Sequence, residues 1–289
     1  GSKLEPGKYR PVSITCICCK IMESIIRQSI TDHFVDKNAF SNKQFGFIKG
    51  RSTVMQLLKV MDMWTESLES GGQIDVVYTD LEKAFDKVPH KRLISKLYSY
   101  KINPKVIKWI EAFLTNRRQR VRINGFFSLW KEVLSGIPQG SILGPLLFII
   151  FINDLVDSCN NASEFFLYAD DAKLFRHITR KSDADLLQKD LLDIQLWIDK
   201  WLLKLNIKKC KVISYGHHLD FKNDYYLQSE GSMSVLENLD YIKDLGVTFD
   251  SKLKFNYHIN EKVNKSYSVL GLIYIYRVAR RPGFKRLCP

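Results

Sequence analysis

The sequence Tyr168-Ala169-Asp170-Asp171 decides the fold class of this chain. Apolar, strand-like runs lie on both sides of it, Phe165–Leu167 before and Ala172–Phe175 after. Two such runs around a short polar segment predict a β-hairpin, and Asp tolerates the backbone angles that tight turns demand. We therefore expect two adjacent carboxylates at the tip of a hairpin.

A third carboxylate stands far upstream, at Asp80, directly after the strand-like run Ile74–Thr79. If this strand pairs with the hairpin, three carboxylates converge, and unit charges about 4 Å apart repel by about 4 kcal/mol at an effective dielectric of about 20. Such a cluster is costly unless it holds cations. Oxygen ligands on rigid strands suit Mg²⁺, and two such ions are the usual device for in-line phosphoryl transfer. The aspartates therefore predict a nucleotide polymerase, with an ordinary solvated turn as the alternative that the hairpin alone leaves open.

The composition is that of a large basic chain. Of the 289 residues 45% are apolar, enough to bury a sizeable core, and the formal net charge of +13 predicts a polyanionic partner, with a merely soluble basic surface as the alternative. The six cysteines form no disulfide framework and predict buried, reduced thiols in an intracellular protein. The longest apolar run, Leu143–Ile152, is too short to span a bilayer. Three basic clusters contain Arg117, Arg118, Arg120 and Arg122; Lys208, Lys209 and Lys211; and Arg277, Arg280, Arg281, Lys285 and Arg286.

Hydrophobic periodicity predicts the helices. The clearest covers 184–205, and residues 87–115 are also expected to be helical, with Asn103 as an N-cap before Pro104. Asn124-Gly125 predicts a two-residue hairpin turn. Strands and helices alternate without regular βαβ spacing, so the predicted fold class is α+β: an antiparallel sheet backed by helices, with an inserted helical region. Two further helices are expected to bury Ile21, Ile25, Ile26 and Ile30, and Leu57, Leu58, Met61 and Leu68.

Seven short motifs follow one another in order along the chain. Together they resemble the reverse transcriptase domain of non-LTR retrotransposons, the LINE elements, and look closest to the jockey-like group. The resemblance runs from about residue 9 to about residue 275. The motifs are Tyr9–Ile14, Gln44–Phe47 with Gly50–Thr53, Asp80–Asp86, Ser135–Ser141 with Gly144-Pro145, Tyr168–Asp171, Asn206–Cys210 and Leu245–Val247.

This resemblance implies a right-hand polymerase fold with an RRM- or ferredoxin-like palm sheet. The implied activity is RNA-directed DNA polymerase, with an RNA template, a DNA primer and dNTPs as partners and two Mg²⁺ ions, or Mn²⁺ in their place, as cofactors. An endonuclease domain is expected elsewhere in the full-length polyprotein, the expected location is the nucleus or cytoplasm, and no membrane partner is expected. The expected domains are 1–73 for the N-terminal fingers, 74–88 for the first palm strand, 89–134 for a fingers insertion, 135–250 for the palm with catalytic hairpin and primer grip, and 251–289 for the start of a truncated thumb.

By the same resemblance, Asp80 and Asp170 are metal ligands, and the Leu81 carbonyl is a further contact. Asp171 is expected to support the metal site and to contact the ions less directly. Lys209 falls where the family has a lysine proposed to protonate pyrophosphate, with a solvated charge as the alternative.

The resemblance also assigns the nucleotide contacts. Phe85 stands where the family has an aromatic residue beneath the incoming sugar, and its ring would exclude a 2′-hydroxyl and select deoxynucleotides. Gln139 and Gly140 are expected at the nascent base pair, where glycine lets the backbone approach template and nucleotide closely. Arg51 and Lys49 are expected to bind the triphosphate.

Two positions depart from the family pattern. Ile48 stands where an Arg is common, and Asp244 replaces the usual aromatic residue before Leu245-Gly246, the segment that resembles the primer grip. A carboxylate beside a primer backbone is electrostatically unfavourable. Asp86 is expected to be structural, pairing with a neighbouring cation. The expected nucleic-acid contacts are Arg10, for which a structural role is equally open, Arg117, Arg118, Arg120, Leu245 and Gly246.

Two other functions compete with an active reverse transcriptase. One is a catalytically inactive, nucleic-acid-binding remnant of such an element, and the other is an RNA-dependent RNA polymerase. The three intact aspartates favour the active enzyme over the remnant. The bulky Phe85 argues against an RNA polymerase, which needs room for the 2′-hydroxyl.

Overall fold

The computed structural model describes residues 9, 12–159, 163–229 and 231–279, with side chains up to residue 276. Arg10, the side chain of Arg277 and the basic residues that follow it lie outside the described residues, and their predicted contacts stay predictions. The helices are α1 (Ile17–Asp36), α2 (Thr53–Glu69), α3 (Ala84–Lys87), α4 (His90–Ser99), α5 (Pro104–Leu114), α6 (Gly144–Phe151), α7 (Lys181–Lys200) and α8 (Asn256–Ala279).

The strands follow the same chain order. They are β1 (Gln73–Thr79), β2 (Arg118–Gln119), β3 (Arg122–Ile123), β4 (Phe126–Phe127), β5 (Lys131–Glu132), β6 (Glu164–Tyr168), β7 (Asp171–Ile178), β8 (Lys211–Tyr215), β9 (Tyr226–Ser229), β10 (Ser232–Val235), β11 (Glu237–Asn238), β12 (Tyr241–Asp244) and β13 (Val247–Asp250).

The centre of the molecule is a five-stranded sheet in the order β11-β8-β1-β7-β6. β1 pairs antiparallel with both β7 and β8, and β6 and β7 form a hairpin, so the predicted antiparallel sheet is confirmed for these four strands. It is wrong for the short edge strand β11, which runs parallel to β8. The intervening β9–β10 hairpin brings the chain back to this edge in the direction of β8.

Both faces of the sheet are buried. Along β1, Val76 packs into a cluster with Trp64 of α2, whereas its neighbour Val77 packs into the larger cluster formed with α1 and α4 to α7. This follows from the pleat, which sends successive side chains to opposite faces. Trp64 lies 4.6 Å from the Tyr215 ring and 5.7 Å from that of Phe175, which closes the smaller core.

The helix predicted at 184–205 is observed as α7, which begins and ends earlier. Its predicted stripe is buried as expected at Leu187, Leu191, Ile194 and Ile198. The helix stops because Leu202 takes a left-handed backbone conformation (φ 58°), which turns the chain away from the helix axis. The chain beyond that turn no longer continues the stripe and returns to the sheet.

The apolar face predicted for α1 is partly wrong. Ile21 and Ile25 are 57% and 61% exposed, whereas Glu23 is fully buried. The Glu23 carboxylate accepts hydrogen bonds from the Ser141 hydroxyl and from the Leu143 amide, the latter at 3.0 Å. A hydrophobic pattern cannot predict a buried polar residue whose partners lie more than a hundred positions away. The buried face of α1 is therefore rotated about the helix axis relative to the predicted face.

The same effect operates in α2. Leu58 is exposed, and the buried face is centred on Gln56, Val60 and Trp64. The Gln56 side-chain amide donates a 3.0 Å hydrogen bond to the Leu167 carbonyl in β6. α2 is therefore joined to the strand before the Asp170-Asp171 turn by a polar contact as well as by apolar packing.

Two local predictions are confirmed. The Asn103 side chain accepts a hydrogen bond from the Lys105 amide at 2.9 Å, which caps α5. Asn124 and Gly125 both have positive φ, 49° and 88°, at the tip of the β3–β4 hairpin. The predicted helical stretch 87–115 is divided by a turn into α4 and α5.

The cysteines only partly match the expectation of buried thiols. In the described part of the chain they are free thiols, but Cys16 and Cys18 are exposed and only Cys210 is fully buried. Among the described helices, none combines the length and the apolar character that crossing a membrane would require.

Candidate active site

The Tyr168-Ala169-Asp170-Asp171 segment forms the predicted hairpin turn. Tyr168 pairs with Asp171, which leaves Ala169 and Asp170 as the two turn residues. The positive φ of this turn is at Ala169 (54°), so the expectation that an aspartate would adopt it is wrong. The left-handed backbone conformation costs alanine about 1 kcal/mol, so contacts with the surrounding residues must stabilise it.

That support comes from the loop before α2. Gln44 is fully buried, and its side-chain oxygen accepts hydrogen bonds from the Ala169 amide at 3.0 Å and from the Gly46 amide at 2.7 Å. The Phe45 amide donates to the Leu167 carbonyl at 2.8 Å, so this loop pairs with the free edge of β6. A Cβ at Gly46 would overlap the Ala169 backbone, which explains why glycine is required there.

These contacts give Gln44 and Gly46 a role that sequence reasoning missed. The Gln44–Phe47 motif was noted only for its family resemblance. Its position shortly before an amphipathic helix gave no signal that it packs beneath a turn more than 120 residues away.

Asp80 is brought to this turn by the pairing of β1 with β7. Thr79, the last residue of β1, pairs with Ala172, so Asp80 follows directly at the end of the strand that lies beside the start of β7 at Asp171. The Asp80 backbone carbonyl accepts a 2.8 Å hydrogen bond from the Asn206 amide, which holds the end of the strand. One Asp80 carboxylate oxygen, Oδ2, is buried and has no hydrogen-bond donor. The strand register thus places Asp80 beside the hairpin turn that carries Asp170 and Asp171.

The electrostatics of Asp171 reflect this convergence. Asp171 as a whole is exposed, but the protein around its carboxylate removes part of the water there, and this desolvation raises the pKa of Asp171. The negative charges of Asp170, Asp80 and Asp244 raise this pKa further. Lys209 opposes part of this negative charge, because its Nζ lies 3.3 Å from Asp80 Oδ2. This contact is an ion pair without hydrogen-bond geometry. The site therefore carries excess negative charge that a cation would relieve.

The donor set fits a hard divalent cation. The buried, undonated Asp80 oxygen is available as a ligand, and all the candidate donors are oxygens. In the described ranges, no three His, Cys, Asp or Glu side chains form a cluster that could hold a metal ion alone. This is compatible with Mg²⁺, which is usually bound by one or two carboxylates together with water and substrate phosphates. The backbone bridge between Leu81 and Leu205 leaves the Leu81 carbonyl out, since it uses the carbonyl of Asp80 and the amide of Glu82.

Phe85 lies close to the aspartates, after the end of β1. Its ring is half-buried and stacks on Phe148 with centroids 4.3 Å apart, and it meets the Phe47 ring edge-on at 6.5 Å. The Phe85 carbonyl accepts a 2.7 Å hydrogen bond from the Ile137 amide. The ring is therefore held firmly on one face while part of it stays accessible.

Gln139 and Gly140 lie on the same side of the site as Phe85. The Gln139 side-chain amide donates a 3.0 Å hydrogen bond to the Asp86 carboxylate. Asp86 therefore pairs with a neutral amide and not with the cation that we expected. Gly140 has φ 96°, and a Cβ there would meet the Ser13 carbonyl at 2.7 Å. Within the protein, the close approach that requires glycine at this position is to the carbonyl of Ser13, and the expected approach to template and nucleotide stays a prediction.

The two residues expected to bind the triphosphate differ in exposure and in the hydrogen bonds that they already make. Arg51 is half-buried, burial lowers its pKa, and its Nη1 donates to the backbone carbonyls of Ser41 and Gln44. Lys49 is exposed. Arg51 thus holds together the loop that supports the Asp170-Asp171 turn, and its Nη1 is already used in these hydrogen bonds.

The arginines expected to contact nucleic acid belong to a ribbon of short strands, β2 to β5. Arg118 and Arg120 are exposed, and the Arg120 guanidinium stacks on Phe127 at 3.9 Å and Trp130 at 4.5 Å. Arg117 is different: it is half-buried, burial lowers its pKa, and it donates a 3.0 Å hydrogen bond to the Ser13 hydroxyl. Its guanidinium is therefore held by the protein itself, and its contact with nucleic acid stays a prediction.

The Leu245-Gly246 segment is the turn of the β12–β13 hairpin, with φ 46° and 92° at these two residues. Asp244, directly before the turn, is buried and forms an ion pair with Lys173 of β7. The expectation that this carboxylate would be unfavourably placed beside a primer is corrected, since its charge faces inward and is compensated.

The fold and the carboxylate register define a polymerase-type α+β protein, and comparison with solved structures agrees. Apo telomerase from Candida tropicalis, truncated from its C-terminal domain, superposes with a TM-score of 0.56 at 12% identity, covering 82% of this chain and 45% of that one. Telomerase from Candida albicans, in complex with a TWJ fragment of telomeric RNA, gives 0.54 at 12% identity, covering 80% and 38%. At these identities the likeness concerns the fold alone.

Sequence comparison identifies the family. A family model described as reverse transcriptase (RNA-dependent DNA polymerase) matches residues 2–273, and the chain belongs to this family. The probable RNA-directed DNA polymerase from transposon BS of Drosophila melanogaster is 30% identical over 271 residues, or 91% of this chain and 29% of that protein. The RNA-directed DNA polymerase from mobile element jockey of Drosophila funebris is 31% identical over 270 residues, or 89% and 29%. The chain spans under a third of the length of these relatives. Their names confirm the predicted likeness to jockey-type non-LTR elements.

Proposed function

We propose that this chain is the catalytic part of a LINE-type reverse transcriptase, which extends a DNA primer with dNTPs on an RNA template. The observation that carries the proposal is the register of β1 with β7, which brings Asp80 to Asp170 and Asp171. Relatives named as RNA-directed DNA polymerases support the same activity. An endonuclease elsewhere in a longer polyprotein and an intracellular setting, nuclear or cytoplasmic, are part of the proposal.

The proposed metal ligands are Asp80 and Asp170, with the Leu81 carbonyl as a further contact and Asp171 in a supporting role. Two Mg²⁺ ions bound there would activate the primer 3′-hydroxyl and neutralise the triphosphate. The raised pKa of Asp171 reflects a desolvated carboxylate beside the charges of Asp170, Asp80 and Asp244, and one buried Asp80 oxygen has no donor. Both observations support this assignment. Lys209, beside Asp80, is proposed to supply the proton that pyrophosphate requires on leaving.

The remaining site residues are proposed to position the nucleotide. Phe85, backed by Phe148, would lie beneath the sugar and exclude a 2′-hydroxyl. Lys49 and the free N–H groups of Arg51 would bind the triphosphate, and Gln139, with Gly140, would contact the nascent base pair. The hydrogen bond from Gln139 to Asp86 gives that amide a defined orientation, which supports a positioning role.

The proposed division of the molecule follows the right-hand polymerase plan. Residues 74–88 and 135–250 form the palm, residues 1–73 and 89–134 contribute the fingers, and α8 belongs to the thumb. Support comes from the sheet, which combines strands of both palm segments, and from the ribbon β2–β5, which extends from the second fingers segment. The exposed Arg118 and Arg120 on this ribbon, and Arg10 further upstream, are proposed to contact template or primer phosphates.

A primer-extension assay tests the proposal. Purified protein is incubated with a DNA primer annealed to RNA, dNTPs and Mg²⁺, and products are resolved by length. Extension that follows the RNA template supports the function. Tight primer–template binding without extension, under Mg²⁺ and Mn²⁺ alike, would favour the inactive, nucleic-acid-binding remnant instead.

A further inference from the structure

A buried ion pair joins the two hairpins of the candidate site. Lys173 lies in β7, two residues after Asp171, and Asp244 is the last residue of β12, directly before the Leu245-Gly246 turn. Their side chains are only 4% and 6% exposed and their charged groups are in direct contact. Neither residue was singled out as functional by the sequence pattern, in which Asp244 was merely an unfavourable substitution.

The surroundings of the pair are specific. The Tyr78 hydroxyl lies 3.4 Å from Asp244 Oδ2 and 3.4 Å from the Tyr215 hydroxyl, so a second strand and a third contribute to the same polar cluster. Lys173 Nζ also lies 5.9 Å from the centroid of the Tyr78 ring. Three neighbouring strands of the central sheet, β7, β1 and β8, thus meet Asp244 or its hydrogen-bond partner.

The hairpin that carries Asp244 is otherwise joined to the sheet by apolar packing. β12 and β13 form a two-stranded sheet of their own, and Phe249 packs against Trp64 and Tyr215 with centroids 5.8 Å and 6.2 Å apart. Apolar contacts tolerate small sliding movements. A desolvated ion pair does not, because either charge left alone in the interior is strongly unfavourable.

The location of the pair matters for the chemistry. Within β7, residues 171 and 173 lie on the same face of the strand, since side chains alternate. The pair therefore connects the strand that presents Asp171 to the residue that enters the Leu245-Gly246 turn. Any displacement of that turn relative to the carboxylates has to stretch the pair.

We infer that Lys173 and Asp244 are positioning residues that hold the Leu245-Gly246 turn in register with Asp170 and Asp171, and so set where a primer terminus meets the catalytic carboxylates. This inference rests on the proposed function and on the predicted primer contact of the Leu245-Gly246 turn, the segment that resembles the primer grip. Neither residue touches substrate. Their effect is to align the primer, and it does not extend to nucleotide binding or to the carboxylates' own chemistry.

The test uses a double variant that removes both charges together, Lys173→Met with Asp244→Leu. Replacing a buried ion pair by apolar residues of similar size often leaves stability unchanged, whereas a single substitution strands one charge. Steady-state extension on an RNA template would give KM for the primer–template and for dNTP separately, and thermal unfolding would report the fold.

We expect the double variant to unfold at the wild-type temperature but to show a KM for primer–template about fivefold higher, with KM for dNTP unchanged. A fivefold change corresponds to about 1 kcal/mol of lost alignment. Glu237→Gln is the matched control, since it breaks the exposed Lys211–Glu237 ion pair (2.6 Å) on the far edge of the same sheet and should leave both KM values unchanged.

A folded double variant with wild-type KM for primer–template would overturn the inference, as would an equal rise in both KM values. If this double variant does not fold, Lys173→Met with Asp244→Asn decides by the same two KM values, since it also removes both charges but keeps the volume of the Asp244 side chain and a hydrogen-bond acceptor for Tyr78. Wild-type protein that binds primer–template but never extends it would refute the proposed function itself, which is a different result from either of these.

Discussion

At the scale of single residues, Asp80 combines a fixed backbone position with a carboxylate oxygen that is free to bind a ligand. Its backbone carbonyl is held by Asn206, and its buried Oδ2 has no donor although Lys209 lies 3.3 Å away. A carboxylate fixed in position with an unused oxygen is prepared to accept a cation or a proton. Neutralising it by substitution should therefore affect chemistry far more than folding.

We expect Asp80→Asn and Asp170→Asn each to reduce primer extension by about a thousandfold, equivalent to about 4 kcal/mol, because each removes a proposed metal ligand and not a packing contact. Asp171→Asn should be milder. Extension rates and primer–template affinity would be measured on the same preparations. Asp32→Asn, an exposed carboxylate on α1, is the control and should extend like wild type. Wild-type extension by either of the first two variants would refute the assignment.

Phe85 makes the second prediction at this scale. Phe85→Val should lower the ratio of dNTP to rNTP efficiency by about tenfold, or about 1.4 kcal/mol, because the ring that would meet a 2′-hydroxyl is gone. Single-nucleotide incorporation with each substrate measures the ratio. Phe113→Val is matched, since Phe113 stacks on Trp109 at 5.3 Å in α5, as Phe85 does on Phe148. An unchanged ratio in a destabilised Phe85→Val protein would make Phe85 an ordinary core residue.

At the scale of elements, the main lesson is that polar side chains connect helices and strands that the hydrophobic pattern treats separately. Gln44 and Gln56 both contact the strand and turn that end in Asp170, and Glu23 joins α1 to the start of α6. Helix existence and type were predictable from periodicity. The orientation of α1 and α2 was not, because their buried faces contain polar residues whose partners are distant in sequence.

Lys96 is the clearest example of such a connection between elements. It lies on α4, is buried, donates to the Phe151 carbonyl and to Asp154, and sits 3.8 Å from the centroid of the Trp201 ring after α7. Burial lowers the pKa of Lys96 from 10.5 to about 8, against the opposing effect of Asp154. The aromatic ring also favours the charged form.

This shift has a consequence for stability. Between about pH 8 and pH 10.5 the unfolded chain keeps the Lys96 proton that the folded chain has lost, so the Lys96 contribution to the free energy of unfolding should rise with pH, by at most about 3 kcal/mol. Urea unfolding of wild type and Lys96→Met would be compared at pH 7.5, about pH 9 and about pH 10.5.

The difference between the two proteins is the informative quantity. Burial raises the pKa of Cys159 to about 12 and that of Cys210 to about 11, so these thiols lower the stability of both proteins as pH rises. Their effect cancels in the comparison. A difference that is constant across this pH range would show that Lys96 keeps its ordinary pKa in the folded protein.

At the scale of the whole molecule, we expect the net charge of +13 and the exposed arginines of the ribbon to dominate the affinity for primer–template. We expect primer–template affinity to fall by about tenfold or more between about 50 and 200 mM salt, as two or more neutralised phosphates would require. Electrophoretic or fluorescence titration across this range measures it. Salt-insensitive, tight binding would mean that other contacts hold the substrate.

The same titration separates the contribution of the ribbon arginines to the salt dependence from the contribution of the net charge. Arg118→Gln with Arg120→Gln should make the logarithmic salt slope shallower by about 1.8, or about 0.9 for each lost phosphate contact. Lys189→Gln, on the exposed side of α7, changes charge without touching the ribbon and should leave the slope unchanged.

The features that depend on neighbouring residues could be predicted from the sequence alone. The Tyr168–Asp171 hairpin, the strand before Asp80, the Asn103 cap, the Asn124-Gly125 turn and the α+β class all follow from local periodicity and turn chemistry. The order of the motifs was sufficient to indicate the family, which the matching family model confirms.

The pairing of distant polar groups became visible only in the folded molecule. There Gln44 lies beneath the Asp170-Asp171 turn, Gly140 lies against the Ser13 carbonyl, and Lys173 compensates the charge of Asp244. The physical reason is the same in each case. A buried polar group must find a partner, but its own sequence neighbourhood carries no information about which distant strand will supply it.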